Sequence, residues 1–217
     1  MVNLDTYIIN VSIPAVAADF LVDKADVSWV VMSYNLLVVS LLLICGKLAD
    51  RIGLKKLFLF GFFIFTVSSL FCAISQNLGQ LVASRVLQGI GASVLYALPQ
   101  AIIGKFLPKE ERGMGFGYSA SAAALGIMFG APVGGMITGI LSWHWIFLIN
   151  IPVGICIILL ILINGDLFKE NVSEKANSAF EIKGSLLSFF AVLGLTFWLN
   201  KLNSLGFDNA ILNTILL

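Results

Sequence analysis

The chain has 217 residues, of which 59% are hydrophobic and only 12% charged, and its formal net charge is +1. A soluble domain carries about 25% charged residues, so this chain cannot clothe a water-facing surface, and lipid is the solvent its composition calls for. No nucleic-acid partner is expected.

An apolar run of about 17–25 residues can cross a bilayer as a helix. A short and rather polar run occupies residues 1–18. Longer ones follow at roughly 27–48, 56–75, 78–104, 113–141, 143–164 and 185–202, and the beginning of another lies at 210–217. In hydrocarbon the backbone must bond to itself, so these runs read as helices. No alternating pattern of strand length recurs, which argues against a membrane barrel. The expected fold is an all-α integral membrane protein: a six-helix bundle over 1–164, a cytoplasmic linker over 165–184, and a further helix with the start of the next over 185–217.

The loops carry an asymmetric charge. Lys47, Arg51, Lys55 and Lys56 follow the second span. Lys105, Lys109 and Arg112 follow the fourth, and Lys169, Lys175 and Lys183 the sixth. The opposite side holds only Lys24 and Lys201. Basic loops stay cytoplasmic, so the expected arrangement is a multi-pass protein of the cell membrane with its N-terminus inside. Trp29, Trp143, Trp145 and Trp198 fall at the outer ends of spans, where amphipathic rings favour the interface.

Cys45, Cys72 and Cys156 lie in apolar runs without a Cys-x-x-Cys or Cys/His spacing, and His144 is the only histidine. Neither a metal site nor a cofactor is expected. A nucleotide-binding Gly-x-x-x-x-Gly-Lys-Ser/Thr loop is absent. No nucleophile–base constellation stands out, so an enzyme is not expected.

Two ionisable residues fall within spans, Asp5 and Arg85. Charge in lipid is costly, so such residues are generally functional or paired. At 1.5 Å per residue, Asp5 sits about 20 Å below the outer end of its helix, and Arg85 about 10 Å deep in its own. Asp5 suits reversible protonation. Arg85 cannot carry the proton, because a guanidinium stays charged, but it can hold a carboxylate ionised.

Residues 46–56, "GKLADRIGLKK", interrupt the apolar sequence with basic residues, one acid and two glycines. They read as a short cytoplasmic hairpin loop, with Gly53 free to adopt a left-handed turn and Gly46 allowing helices to approach. The stretch resembles the signature of the major facilitator superfamily between its second and third helices, Gly-x-x-x-Asp-Arg-x-Gly followed by basic residues. Leu4–Pro14, "LDTYIINVSIP", resembles the first-helix motif of the drug/proton antiporter branch with fourteen helices. "RVLQGIGAS", from Arg85, and "GIMFGAPVGG", from Gly126, resemble its fourth- and fifth-helix motifs. "WHWIFLINIPVG", from Trp143, resembles the sixth-helix start of the multidrug-exporter subfamily. The fifth-helix motif usually has Gly-Pro where this chain has Gly130-Ala131, with Pro132 one place later.

The resemblance implies an N-terminal six-helix transporter bundle whose first helix is truncated, lacking the second half of the transporter as its partner. It further implies proton-driven efflux of a small lipophilic drug or antiseptic across the lipid membrane. Asp5 and Arg85 would couple protons, and Gly46, Asp50, Arg51, Gly53, Lys55 and Lys56 would form a cytoplasmic gate loop. Gly126, Gly130, Pro132, Gly134 and Gly135 would make a packed, kinked helix face. Asn10, Tyr34, Asn35, Tyr96, Gln100 and Tyr118 are candidates to line a cavity. Export of a specific metabolite, and a non-transporting remnant or assembly subunit, are the alternatives.

Overall fold

The computed structural model describes residues 1–163, 187, 189–195 and 198. The linker expected at 165–184 and the helix start at 210–217 lie outside the described residues. Residues 187, 189–195 and 198 are helical, as expected for the seventh helix.

The elements are α1 (Val2–Phe20), α2 (Lys24–Ile52), α3 (Leu54–Ala73), α4 (Leu78–Phe106), α5 (Arg112–Ile140), α6 (Trp145–Leu148) and α7 (Asn150–Ile163). Among the described residues, five stretches are long and apolar enough to cross a membrane: Lys24–Leu42, Leu54–Ala73, Leu78–Phe106, Arg112–Ile140 and Trp145–Ile163. The last comprises α6 and α7 together. The chain is a multi-pass membrane protein. Large apolar side chains such as Phe60, Phe63, Met128 and Ile140 are exposed along the helices, where lipid would meet them.

Helix α4 is the centre of the packing and lies against α2 and α3, while α1 lies mainly against α5, and α7 against α3. Small residues permit these approaches. A Cβ on Gly91 would come within 2.6 Å of the Phe65 backbone nitrogen, and one on Gly89 within 3.0 Å of the Tyr34 carbonyl oxygen. Gly126, Gly130 and Gly134, spaced four apart on α5, face Leu4, Tyr7 and Ile8 of α1 in turn. Gly154 of α7 packs on Thr66 of α3. Gly135 lies at the margin of the α5 face, in ordinary contact with Val11.

Two sequence expectations require correction. The hairpin loop at 46–56 is almost entirely helix: α2 continues to Ile52 and α3 starts at Leu54, leaving Gly53 alone as the break. Leu, Lys, Ala and Arg are good helix formers, so the basic residues extend the helices rather than interrupt them. Gly53, at φ 96°, turns the chain in a conformation that an L side chain resists. Gly46 permits no close approach, since a Cβ there would meet nothing within 4 Å.

The sixth span, expected as one helix over 143–164, runs over Trp145–Ile163. Ile149, between α6 and α7, keeps helical angles of φ −60° and ψ −26°, and its N–H donates to the Trp145 carbonyl. Pro152 has no N–H to give the Leu148 carbonyl. The second correction concerns Trp143, which is 3% exposed rather than interfacial. Its Nε1 donates to Asp19 Oδ2 at 2.9 Å, and Phe20 packs against its ring edge-on.

Candidate functional site

Asp5 and Arg85 meet. Arg85 Nη1 donates to Asp5 Oδ2 at 2.6 Å, with the two side chains 0% and 2% exposed. The long arginine side chain reaches across the difference in depth inferred from helix rise. It does not snorkel to an interface.

The pair sits in a polar cluster built from five helices. On α4, Arg85 and Gln88 are three residues apart and share a face. Gln88 Oε1 accepts from Arg85 Nη1 at 2.6 Å and from the Cys72 thiol at 3.6 Å. Gln88 Nε2 donates to Asp5 Oδ1 at 3.3 Å and to Ser69 Oγ on α3 at 2.8 Å. Ser69 in turn donates to the Phe65 carbonyl of its own helix. From α2, the Val30 carbonyl accepts from Arg85 Nε at 3.2 Å. The Tyr34 ring lies under the guanidinium at 3.9 Å, close enough for a cation–π contact. Gly89 makes that contact possible, because it lets α2 come close to α4 just there. From α7, Asn150 Nδ2 donates to Asp5 Oδ1 at 2.7 Å.

The carboxylate thus accepts from three donors, Arg85, Gln88 and Asn150. This is the environment in which an ionised carboxylate is tolerated away from water, since buried charge needs both a counter-ion and hydrogen bonds. The cluster can hold a carboxylate charged in an apolar bundle. Arg85 itself cannot yield a proton.

A cleft of about 340 Å³ is lined by Met1, Asn3, Phe58, Tyr96, Gln100 and Ser119 among others, and by none of the cluster's residues. Tyr96 donates its hydroxyl proton to Asn3 Oδ1 at 2.5 Å. Asn3 and Asp5 are two residues apart on α1, so they occupy nearly opposite faces of the helix, one toward the cleft and one toward the arginine.

Of the residues named as cavity candidates, Tyr96 and Gln100 line this cleft. Tyr34 does not: it is fully buried beneath Arg85. Tyr118 is 71% exposed on α5, where the helix turns it away from the cleft-lining Ser119. Asn10 is exposed and bonds back to the Thr6 carbonyl of its own helix, and Asn35 is exposed on α2. Pro132 lies inside α5, where it leaves the Met128 carbonyl without its usual helical donor. Asp50 and Arg51 belong to the last turn of α2, with Arg51 exposed, and Lys55 and Lys56 to the first turn of α3.

Gln88, Asn150 and Ser69 were not singled out in the sequence, and Cys72 was read only as a thiol in an apolar run. The signal was available for two of them. Gln88 is polar, in an apolar run, one helical turn from Arg85. Asn150 is the polar residue of an otherwise apolar span, 145–163.

The sequence model described as Major Facilitator Superfamily matches residues 1–217. The chain belongs to the major facilitator superfamily. It is 38% identical over 187 residues to the riboflavin transporter RibZ of Clostridioides difficile, covering 86% of this chain and 40% of that protein. The putative multidrug resistance protein MdtD of Cronobacter sakazakii is 35% identical over 210 residues, covering 97% of this chain and 44% of the relative. MdtD of Salmonella typhi is 39% identical over 155 residues, or 71% of this chain and 33% of the relative. The chain therefore spans less than half the length of these superfamily members.

Proposed function

We propose that this chain forms the proton-coupling bundle of an exporter of small lipophilic drugs or antiseptics in the cell membrane, its N-terminus on the cytoplasmic side. The observation that carries this reading is the buried Asp5–Arg85 pair with its converging donors. A carboxylate placed among membrane helices and matched to a permanent cation is a site for exchanging a proton. Protonation of Asp5 releases its hold on Arg85, and loss of the proton restores it. A transporter can link such a cycle to alternating access, in which two bundles rock about a midplane site. The second bundle is the partner this chain would require. The cleft at Tyr96 and Gln100 is mostly apolar, with a few hydroxyl and amide groups, which suits an amphipathic organic substrate. The MdtD relatives favour a drug.

The basic turn at Gly53 would serve as the cytoplasmic gate, with Asp50 and Arg51 on one side and Lys55 and Lys56 on the other. The positive loops support the orientation.

The test is efflux of ethidium from cells lacking their own exporters, compared at equal amounts of inserted protein. Efflux should stop with a protonophore and with Asp5→Asn, and persist in part with Asp5→Glu. Protonophore-sensitive efflux undiminished in the Asn variant would remove Asp5 from the coupling. A second reading, transport of a specific aromatic metabolite, is favoured by the similarity to RibZ. Competition by riboflavin against ethidium, or riboflavin transport without ethidium transport, would select it.

A further inference from the structure

Oxygen acceptors do not account for the whole setting of Arg85. Its Nε donates to the Val30 carbonyl and its Nη1 to Asp5 and Gln88, while Nη2 has no hydrogen-bond acceptor among the described residues. Two aromatic faces add to these contacts. The guanidinium carbon lies over the Tyr34 ring, 3.9 Å from its centroid, and over the Phe147 ring, 5.8 Å from its centroid. Both lie within cation–π reach. Tyr34 is 0% exposed and Phe147 1%, so water screens neither contact. The rings come from different helices. Gly89 admits Tyr34 of α2, and Phe147 of α6 packs edge-on against Trp143 at 6.2 Å.

We propose that Tyr34 and Phe147 are positioning residues that hold Arg85 when Asp5 is neutral, their π faces standing in for the carboxylate. The proposal rests on the proton-exchange reading of Asp5. An aromatic ring presents negative potential on its face. Beside an ionised Asp5 the rings meet an ion pair, in which the carboxylate cancels much of the field of the cation. Once Asp5 is protonated they meet an unpaired charge, because a guanidinium does not give up its proton. The ring contacts therefore strengthen at the step where the ion pair is lost. They offset part of the cost of a buried, uncompensated cation. They also keep Arg85 tied to α2 and α6 while its bond to α1 is weakened, so a carboxylate that ionises again finds the guanidinium in place. An aliphatic side chain of similar size would fill the space without supplying the charge.

The experiment is stepwise fluorination of each ring in the full chain, with phenylalanine and its mono-, di- and trifluoro forms at position 34 or 147. Fluorine drains negative potential from the ring face with little change of shape. Stability is read by dodecyl sulfate titration of the purified protein, once with Asp5 present and once in Asp5→Asn, which mimics the protonated carboxyl. Phe65, also 0% exposed and without a cation–π contact among the described residues, is the packing control. The folding equilibrium constant should fall with each fluorine at position 34, by about tenfold across the series in Asp5→Asn and about threefold with Asp5 present. The series at Phe147, whose ring is more distant, should steepen in the same way with a smaller slope. The series at Phe65 should have the same slope in both backgrounds. Slopes at 34 and 147 that do not steepen in Asp5→Asn, or a slope at Phe65 that steepens equally, overturn the proposal. If the trifluoro forms do not insert in Asp5→Asn, the mono- and difluoro forms carry the same comparison. No transport enters the measurement: efflux undiminished in Asp5→Asn would overturn the proton-exchange reading, whereas unsteepened slopes would overturn this one.

Discussion

Removing either partner of the Asp5–Arg85 pair should destabilise the bundle, but the two losses should depend differently on pH. Breaking a buried ion pair from one side costs about 3–5 kcal/mol, because a charge is left uncompensated. In Arg85→Met the stranded group is a carboxylate, which can escape by taking up a proton. That escape is limited by the pH: from a reference value near 3.9, protonation costs about 4 kcal/mol at pH 7 and about 1.5 kcal/mol at pH 5. These figures are ceilings on the electrostatic loss, since Asn150 and Gln88 still solvate Asp5 in part. In Asp5→Asn the stranded group is a guanidinium, fully buried, which has no such escape. It keeps Gln88, the Val30 carbonyl and the Tyr34 ring.

The sign follows from proton counting. Folded Arg85→Met holds a proton that the unfolded chain has released above about pH 4, so its stability falls as pH rises. The slope reaches at most about 1.4 kcal/mol per unit. Asp5→Asn has no such group, and its deficit relative to wild type should be nearly level between pH 5 and 7. The assay is dodecyl sulfate titration of the purified protein in mixed micelles, followed by loss of helical circular dichroism at several pH values. The double variant should recover more stability than the sum of the single losses allows, because both charges are gone. Parallel pH dependence of the two single variants, or additive losses in the double, would refute the reasoning.

Glycines that look alike in the sequence should separate sharply. Gly91→Ala should cost about 1–3 kcal/mol, since its methyl would meet the backbone of α3, whereas Gly46→Ala should gain about 0.5–1 kcal/mol, having open space and a helical backbone; the same dodecyl sulfate titration measures both. Leu21 is 90% exposed at the end of α1 with φ 54°, so Leu21→Gly should raise stability by about 1 kcal/mol by relieving the left-handed strain, seen as a higher midpoint. Cysteines at the exposed positions Lys109 and Ala25 should be labelled from opposite sides of the membrane, Lys109 from the cytoplasm, and external labelling at 109 would reverse the proposed orientation.

Much of the fold was legible because a bilayer leaves few choices. Long apolar runs must be helices, and their ends are marked by charged or turn residues. The helix-spaced glycines on α5 could also be read as a packing face, though not as one that receives α1. What sequence could not supply was lateral placement. Counting rise per residue along separate helices put Asp5 and Arg85 at different depths, yet their side chains meet at 2.6 Å. The turn at Gly53 shows the opposite failure. Charges suggested a loop, but charge reports which side of the membrane a segment faces, and local propensity decides whether it is helical.

The cluster also divides the bundle in a way no single helix reveals. Hydrogen bonds around Asp5 draw on α1, α2, α3, α4 and α7, so any change in its charge is felt by all five. Helix α5 is joined to α1 differently, through glycines against backbone and apolar side chains, with shape rather than polarity setting the fit. Close packing of this kind is indifferent to whether Asp5 carries a proton, whereas a hydrogen bond to its carboxylate is not. A proton arriving at Asp5 therefore changes the forces between α1 and the α2–α3–α4–α7 group while leaving the α1–α5 contact as it was. Relative movement, where the charge drives it, should be of α1 and α5 together against the remainder.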